Sequence, residues 1–313
     1  MDLITVGITC YEAEATIERA VRSALGQTWV PFEIVVVDDC SGDGSWQILE
    51  RLAARDPRIR VVRHAQNRGV AAARNTVLEH TNGEFLAFFD DDDISRPERL
   101  EAQWQRIVDY EQAVETGLVV CHCATEQVFP DGKTRYSPTL GMDVTPAPGG
   151  EAVARLILTG EPAGGETGAC PTSAQMARRS AYESIGGFDE ELRRQEDTDL
   201  NLRLAFDGAH FAGLAQPLVT QTITVTSDKT AGEEYRAALQ LIEKHRTLLE
   251  QWGWYDFSLR WTKMKYAVLE NGQAAGIPHL VRLVFTAPVK LARKTAWTAP
   301  NRASYKRYRY PNE

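Results

Sequence analysis

Through the first 125 residues the chain switches repeatedly between two spacings of apolar positions. Short β-branched runs at Leu3 to Thr9, Glu33 to Asp39, Arg58 to His64, Glu84 to Phe89 and Leu118 to Cys123 read as strands. The stretches between them have helical spacing. Ala13 to Gln27 carries Ile17, Val21, Ala24 and Leu25 on one stripe, Ser41 to Asp43 offer cap and turn chemistry before a helix through Leu52 and Ala53, and Gly69 to His80 is rich in alanine. Pro97 to Val114 is a further helix with proline near its first turn. This alternation predicts an α/β fold: a Rossmann-like, mostly parallel, doubly wound sheet that binds ligands beyond the carboxyl ends of its strands.

After residue 125 the pattern changes. Asp131-Gly132 between Gln127-Val128-Phe129 and Thr134-Arg135-Tyr136 predicts a hairpin, and 138–150 and 161–171 read as loops. From Glu233 the sequence is mostly helical. The expected organisation is one domain over residues 1–228 and a helical C-terminal extension over 229–313.

Composition keeps the chain in the globular class, with 43% hydrophobic and 25% charged residues. No basic leader with an apolar run opens it, and no stretch approaches a membrane span, so a cytoplasmic protein is expected. Five cysteines in apolar segments read as buried free thiols. Cys121-His122-Cys123 invites a zinc reading, but the gap is tighter than a zinc knuckle and no second ligand pair is evident. The net charge of −8 is uneven: eight Lys or Arg against one acid from Pro278 onward leave +7 there and −15 elsewhere. Such a tail, with Trp297, Tyr305, Tyr308 and Tyr310, either contacts an anionic lipid, nucleic acid or acidic surface or is simply solvated.

Chemistry concentrates where the strands end. Asp90-Asp91-Asp92-Asp93 closes the fourth strand, and a divalent cation is the simplest relief for four adjacent carboxylates; oxygen-only ligands favour magnesium or manganese. A solvated, helix-capping turn is the plain alternative. Asp38-Asp39 ends the second strand, where a carboxylate can accept from a base imide or a ribose hydroxyl, and Tyr11 follows the first strand, placed to stack on a base. Ordinary turn chemistry competes for both. Arg68 and Arg74, in Asn67-Arg68-Gly69 and Ala73-Arg74-Asn75, offer charge to a phosphate or form ion pairs. Glu196-Asp197 stands at the start of a helix marked by Leu200, Leu204 and Ala205, where the dipole favours acids.

Taken together, these segments resemble family 2 of the inverting glycosyltransferases, which have the GT-A fold. The resemblance rests on Thr9-Cys10-Tyr11-Glu12, Val36-Val37-Asp38-Asp39-Cys40-Ser41, Asn67-Arg68-Gly69 with Ala73-Arg74-Asn75, Phe89 to Asp93 with Pro97 and Leu100, and Gly187-Phe188-Asp189-Glu190 with Glu196-Asp197, in that order over residues 3–210. It implies transfer of a sugar from a nucleotide diphosphate, usually a UDP-sugar, to an acceptor hydroxyl in cell-surface glycan or polysaccharide synthesis. Asp39 would read the base. Thr9, Tyr11, Glu12, Arg68, Arg74, Asp90 and Asp91 would line the nucleotide, Asp92 with Asp90 would hold Mn2+ or Mg2+, and Asp197 with Glu196 would supply the catalytic base. The partners implied are the donor and a glycan or lipid-linked acceptor, with the basic tail touching the inner membrane face and no nucleic acid. Thr9-Cys10-Tyr11-Glu12 departs from the family's common Pro-x-Tyr-Asn, and four consecutive acids leave the metal register open by one residue. A nucleotidyltransferase is disfavoured because Cys10 to Glu14 is no glycine-rich phosphate loop; a non-catalytic nucleotide-sugar-binding scaffold is the remaining alternative.

Overall fold

A computed structural model describes residues 2–161, 168–223 and 230–298. The chain divides into two compact units, Met1–Ala154 with Pro162–Thr222, and Arg155–Glu161 with Ile223–Glu313.

The first unit follows the predicted alternation: β1 (Ile4–Cys10), α1 (Ile17–Leu25), β2 (Phe32–Asp38), α2 (Ser45–Ala53), β3 (Ile59–Arg63), α3 (Val70–His80) and β4 (Phe85–Asp90). Then come β5 (Ile94–Ser95), α4 (Arg99–Val114), β6 (Val119–Val128), β7 (Thr134–Ser137) and α5 (Gly150–Thr159), which belongs to the second unit from Arg155 onward. β8 (Gln175–Arg178), α6 (Arg179–Ser184), α7 (Glu196–Phe206), β9 (His210–Phe211) and β10 (Leu214–Thr222) complete it. The strands form one sheet in the order β3-β2-β1-β4-β8-β6-β10-β5, with β7 and β9 also paired to β6. Neighbours from β3 to β4 are all parallel. β8 then runs antiparallel between β4 and β6, while β6 and β10 are again parallel.

Every residue of β1 except Thr9 is buried, as expected of a strand covered on both faces. Ile4, Val6 and Ile8 pack with Ile17, Val21 and Ala24 of α1 and Leu100 and Ile107 of α4, each such side chain contributing about 1.5–3 kcal/mol when fully buried. On the opposite face a Cβ at Gly7 would collide with Val77 of α3, so the absent side chain lets α3 lie close to β1.

Three boundaries differ from expectation. The helix predicted from Ala13 starts at Ile17, because Ala13 and Glu14 donate their N–H groups to Ser45 Oγ and Asp43 Oδ2 rather than to a helical turn. The strand predicted to end at Cys123 continues through Val128 and merges with the hairpin, since β10 and β7 pair with its second half. β10 itself went unread: it contains Pro217, which sits at a register shift where a missing N–H is tolerated. Within β6, Cys121 and Cys123 share one face and His122 the other, which fits buried thiols and not a zinc knuckle. The His122 ring lies flat against Phe211, and burial pushes its pKa down to about 3, so it is neutral.

The second unit is helical over its described C-terminal part: α8 (Ala231–Lys244), α9 (Arg246–Gln251), α10 (Tyr255–Asn271), α11 (Gln273–Thr286) and α12 (Pro288–Thr298). Thr230 caps α8 by accepting the Glu233 N–H, and Ile242, Leu249, Trp254, Phe257 and Leu283 form a small core. No helix among the described residues is long and apolar enough to cross a membrane. Arg302, Tyr305, Lys306, Arg307, Tyr308, Arg309 and Tyr310 of the basic tail lie outside the described residues.

Candidate active site

Because β1, β2 and β4 are parallel, their carboxyl ends meet at one edge. Thr9 lies beside Val37 on one side and Asp90 on the other, and Cys10 lies beside Asp38. The edge thus gathers Asp38 and Asp39 with Asp90 to Asp93, acids from two separate parts of the sequence.

The segment after β1 is tied to the segment after β2. Glu12 donates its N–H to Ser41 Oγ at 3.0 Å and accepts the Gly42 N–H at 2.6 Å through Oε1. Glu12 has φ of 51°, a left-handed turn that a non-glycine residue adopts at some cost. Its carboxylate is thereby used to hold the loop, while the Tyr11 ring stands 52% exposed at the rim.

Asp39 is buried and its carboxylate is heavily used. Oδ1 accepts the Arg68 N–H at 2.9 Å and meets His64 Nδ1 at 2.7 Å; Oδ2 accepts the Gly69 N–H at 2.7 Å. Gly69 makes this possible at φ of 94°, presenting two consecutive amides at the entrance to α3. A carboxylate has about four acceptor sites, so three internal donors organise this turn and leave Asp39 about one site for a ligand. The Arg68 side chain turns away to an exposed ion pair with Glu190 at 3.0 Å and is not grouped with the acids of β4.

Arg74 is grouped with them. Its buried guanidinium donates to Glu196 Oε1 at 2.7 Å, reaches Asp90 Oδ1 at 3.4 Å and lies over the Phe188 ring. Burial opposes its charge, but Glu196, Asp90 and Asp197 outweigh that and hold it above the usual arginine value. Arg74 therefore joins α3, the end of β4 and the start of α7. Burial raises the Glu196 carboxyl, opposed by Arg74 and reinforced by Asp197. Asp197, the more accessible neighbour, occupies the first turn of α7, with its Oδ1 accepting the Thr198 N–H at 2.7 Å. Asn201 holds that turn by donating to the backbone oxygens of Asp197 and Cys170, each at 2.9 Å.

The four consecutive acids separate into different roles. Asp91 Oδ2 accepts the Tyr11 N–H at 3.0 Å, whereas ligand oxygens of Asp90, Asp92 and Asp93 all lie within 4.8 Å of one another. Burial pushes Asp91 up to about 8 against the Tyr11 bond, with Asp92 and Asp90 adding to it. Asp93 also rises to about 8, through burial and then repulsion by Asp90 and Asp92, opposed by Gln221 of β10 and by Arg99. Its buried Oδ2 has no hydrogen-bond partner among the described residues. A cluster of oxygen donors with one buried, orphaned oxygen fits a hard divalent cation such as Mg2+ or Mn2+. Asp93 thus joins Asp90 and Asp92, a choice that sequence alone left open.

Arg99 was not singled out from sequence. Fully buried behind the acid run, it donates to the Phe88 carbonyl, Ser95 Oγ and Gln103 Oε1, each at 2.9 Å, and stacks on Phe89. The signal was present: Arg99 and Gln103 are polar residues four apart on the core face of a helix that otherwise buries Leu100 and Ile107.

With this geometry in hand, comparison with known proteins is informative. The family model described as "Glycosyl transferase family 2" matches residues 5–186. The putative glycosyltransferase EpsE of Bacillus subtilis (strain 168) is 30% identical over 220 residues, covering 69% of this chain and 71% of EpsE. WfaP of Escherichia coli, named as a UDP-Glc:alpha-D-GlcNAc-diphosphoundecaprenol beta-1,3-glucosyltransferase, is 38% identical over 93 residues, 30% of this chain and 36% of WfaP. Other curated relatives likewise match over less than half of their own length. The fold is shared with the mannosyltransferase PcManGT of Pyrobaculum calidifontis, solved with GDP-Man and Mn2+, at a TM-score of 0.56, 19% identity and coverage of 97% of this chain and 81% of that one. A family match over more than half the chain, on a sheet whose parallel strands end in this acid cluster, makes the protein a glycosyltransferase of family 2.

Proposed function

We propose that the chain transfers a sugar from a nucleotide diphosphate, a UDP-sugar in the first instance, to an acceptor hydroxyl with inversion at the anomeric carbon. The observation that carries this reading is the Arg74 bridge between Asp90, part of the acid cluster, and Glu196, the neighbour of Asp197. One buried cation thereby couples the donor half of the site to its acceptor half.

In this reading Tyr11 stacks on the base, Asp39 and Glu12 hold the loops that form its wall, and Thr9 and Asp91 line the nucleotide. Asp90, Asp92 and Asp93 would hold the divalent ion, which when bound offsets charge on the leaving diphosphate. Asp197 takes the proton from the acceptor hydroxyl, and the freed oxygen attacks the sugar carbon opposite the diphosphate. Glu196, engaged by Arg74, positions the turn that carries Asp197. Residues 1–228 act as the transferase domain. A glycan or lipid-linked acceptor is the proposed partner, as the name of WfaP describes for that relative, with the basic C-terminal tail approaching an anionic membrane.

Incubation of the purified chain with a panel of nucleotide-sugars and Mn2+, followed by release of the nucleoside diphosphate, tests this. Turnover of one donor, lost in Asp197→Asn with nucleotide affinity retained, is the expected result. Donor binding without hydrolysis or transfer under any condition would favour the non-catalytic scaffold instead.

A further inference from the structure

One face of α11 is built for contact. The helix buries Gly276 and Leu283: a Cβ at Gly276 would meet Val268 of α10, and Leu283 closes the small core of the second unit. Ile277, Leu280, Val281, Val284 and Phe285 occupy a different arc and remain exposed, Phe285 to 82%. Their spacing of three and one is that of a continuous stripe on one face of an α-helix. Val289, 63% exposed at the start of α12, follows it. Isolated apolar residues on a surface need no explanation, but a contiguous row of five does.

The surrounding charge selects the occupant. No Asp or Glu occurs from Asn271 to Asn312, and Arg282 lies within the helix between Val281 and Leu283; Lys290 and Arg293 of α12 are already engaged, by the Gly253 carbonyl and by Glu161. An anionic bilayer surface satisfies both features, taking the apolar row into the acyl boundary and Arg282 among its headgroups. No described helix is long and apolar enough to span, so the contact would lie in the interface plane.

We infer that the exposed face of α11, formed by Ile277, Leu280, Val281, Val284 and Phe285 and flanked by Arg282, docks this protein onto an anionic lipid surface. The inference deepens the membrane approach proposed above by assigning it to a folded surface, and it stands independently of the sugar-transfer reading.

The test is co-sedimentation of the full chain with vesicles of phosphatidylcholine alone or mixed with phosphatidylglycerol. Wild type is expected to pellet with the mixed vesicles and much less with phosphatidylcholine. V281D/F285D should reduce the bound fraction about tenfold or more, since two apolar side chains that would enter the acyl boundary become charged. Arg282→Gln should weaken partitioning about fivefold at low salt, the equivalent of about 1 kcal/mol per basic residue. Both positions of the double variant are exposed, so an unchanged melting temperature is expected to accompany the loss. A full-length variant with Arg302, Lys306, Arg307 and Arg309 all changed to Gln separates the two readings: if it alone loses binding while V281D/F285D pellets like wild type, the tail binds and the α11 inference falls. A wild-type dimer in vesicle-free solution that V281D/F285D converts to monomer would also overturn it, assigning the face to a second copy.

Discussion

The end of β4 and the outer face of α11 break the usual partition of residues in opposite directions. At the end of β4, Asp93 is buried near the buried Arg99, with an oxygen that has no hydrogen-bond partner among the described residues. On α11, five aliphatic or aromatic side chains face outward. Buried polar groups and exposed apolar rows are the informative exceptions in a folded chain. The acids conserve an electrostatic cost that a cation relieves, and the helix conserves a solvation cost that an apolar boundary relieves. Each region is thus incomplete in the sense that chemistry, not geometry, defines what it lacks.

Breaking the first region should have the largest consequence. Asp197→Asn is expected to lower transfer about a thousandfold, within the range of general-base contributions, with donor affinity unchanged by calorimetry. Comparable turnover in that variant would move the base elsewhere. Next, Arg74→Met should lower the unfolding free energy by about 3–5 kcal/mol, because Glu196 and Asp90 lose the cation they share. A denaturant titration reads this, and a loss below about 1 kcal/mol would show the bridge to be peripheral.

A smaller effect sharpens the metal assignment. Asp93→Asn should raise the melting temperature of the chelator-treated protein and abolish most of the rise that Mn2+ causes in wild type, since it removes both the repulsion and a ligand. Retention of the full Mn2+ response would return the third position to another residue. Proton linkage offers a related measurement. Asp91 and Asp93 sit at about 8 against 3.8 for an ordinary Asp, so between those values the folded chain holds more protons than the unfolded one. Stability from this source is present at the acid end of that window and is lost as pH rises toward 8. Melting curves of metal-free protein should fall across it, and saturating Mg2+ should flatten the fall. The smallest change is expected for Arg68→Ala: its exposed pair with Glu190 contributes under about 1 kcal/mol. A tenfold loss of nucleotide affinity would instead put Arg68 on the donor, as the family resemblance implies.

The parallel half of the sheet was legible because its signals are local. β1, β2 and β4 are β-branched or aromatic runs bounded by turn chemistry, and chain direction alone sends Asp38, Asp39 and Asp90 to one edge. The other half was not. β8 is four residues inserted antiparallel between β4 and β6, and β10 carries a proline, so neither has a pattern that separates it from a loop. Gln221 reaches Asp93 only through β10, and Arg74 reaches Glu196 across 122 residues.

Sequence by itself determined that carboxylates would gather where strands end and that the chain beyond Glu233 would be mostly helical, since periodicity and direction need no partner to be read. Tertiary structure decided how each group is used. Asp91 turned to the Tyr11 amide while Asp93 joined Asp90 and Asp92; Asp39 was taken up by the Arg68 and Gly69 amides. On α11, Leu283 was covered and Phe285 was not. The physical reason is common to all: a side chain's partners, and the water it keeps, are set by elements brought from distant parts of the chain.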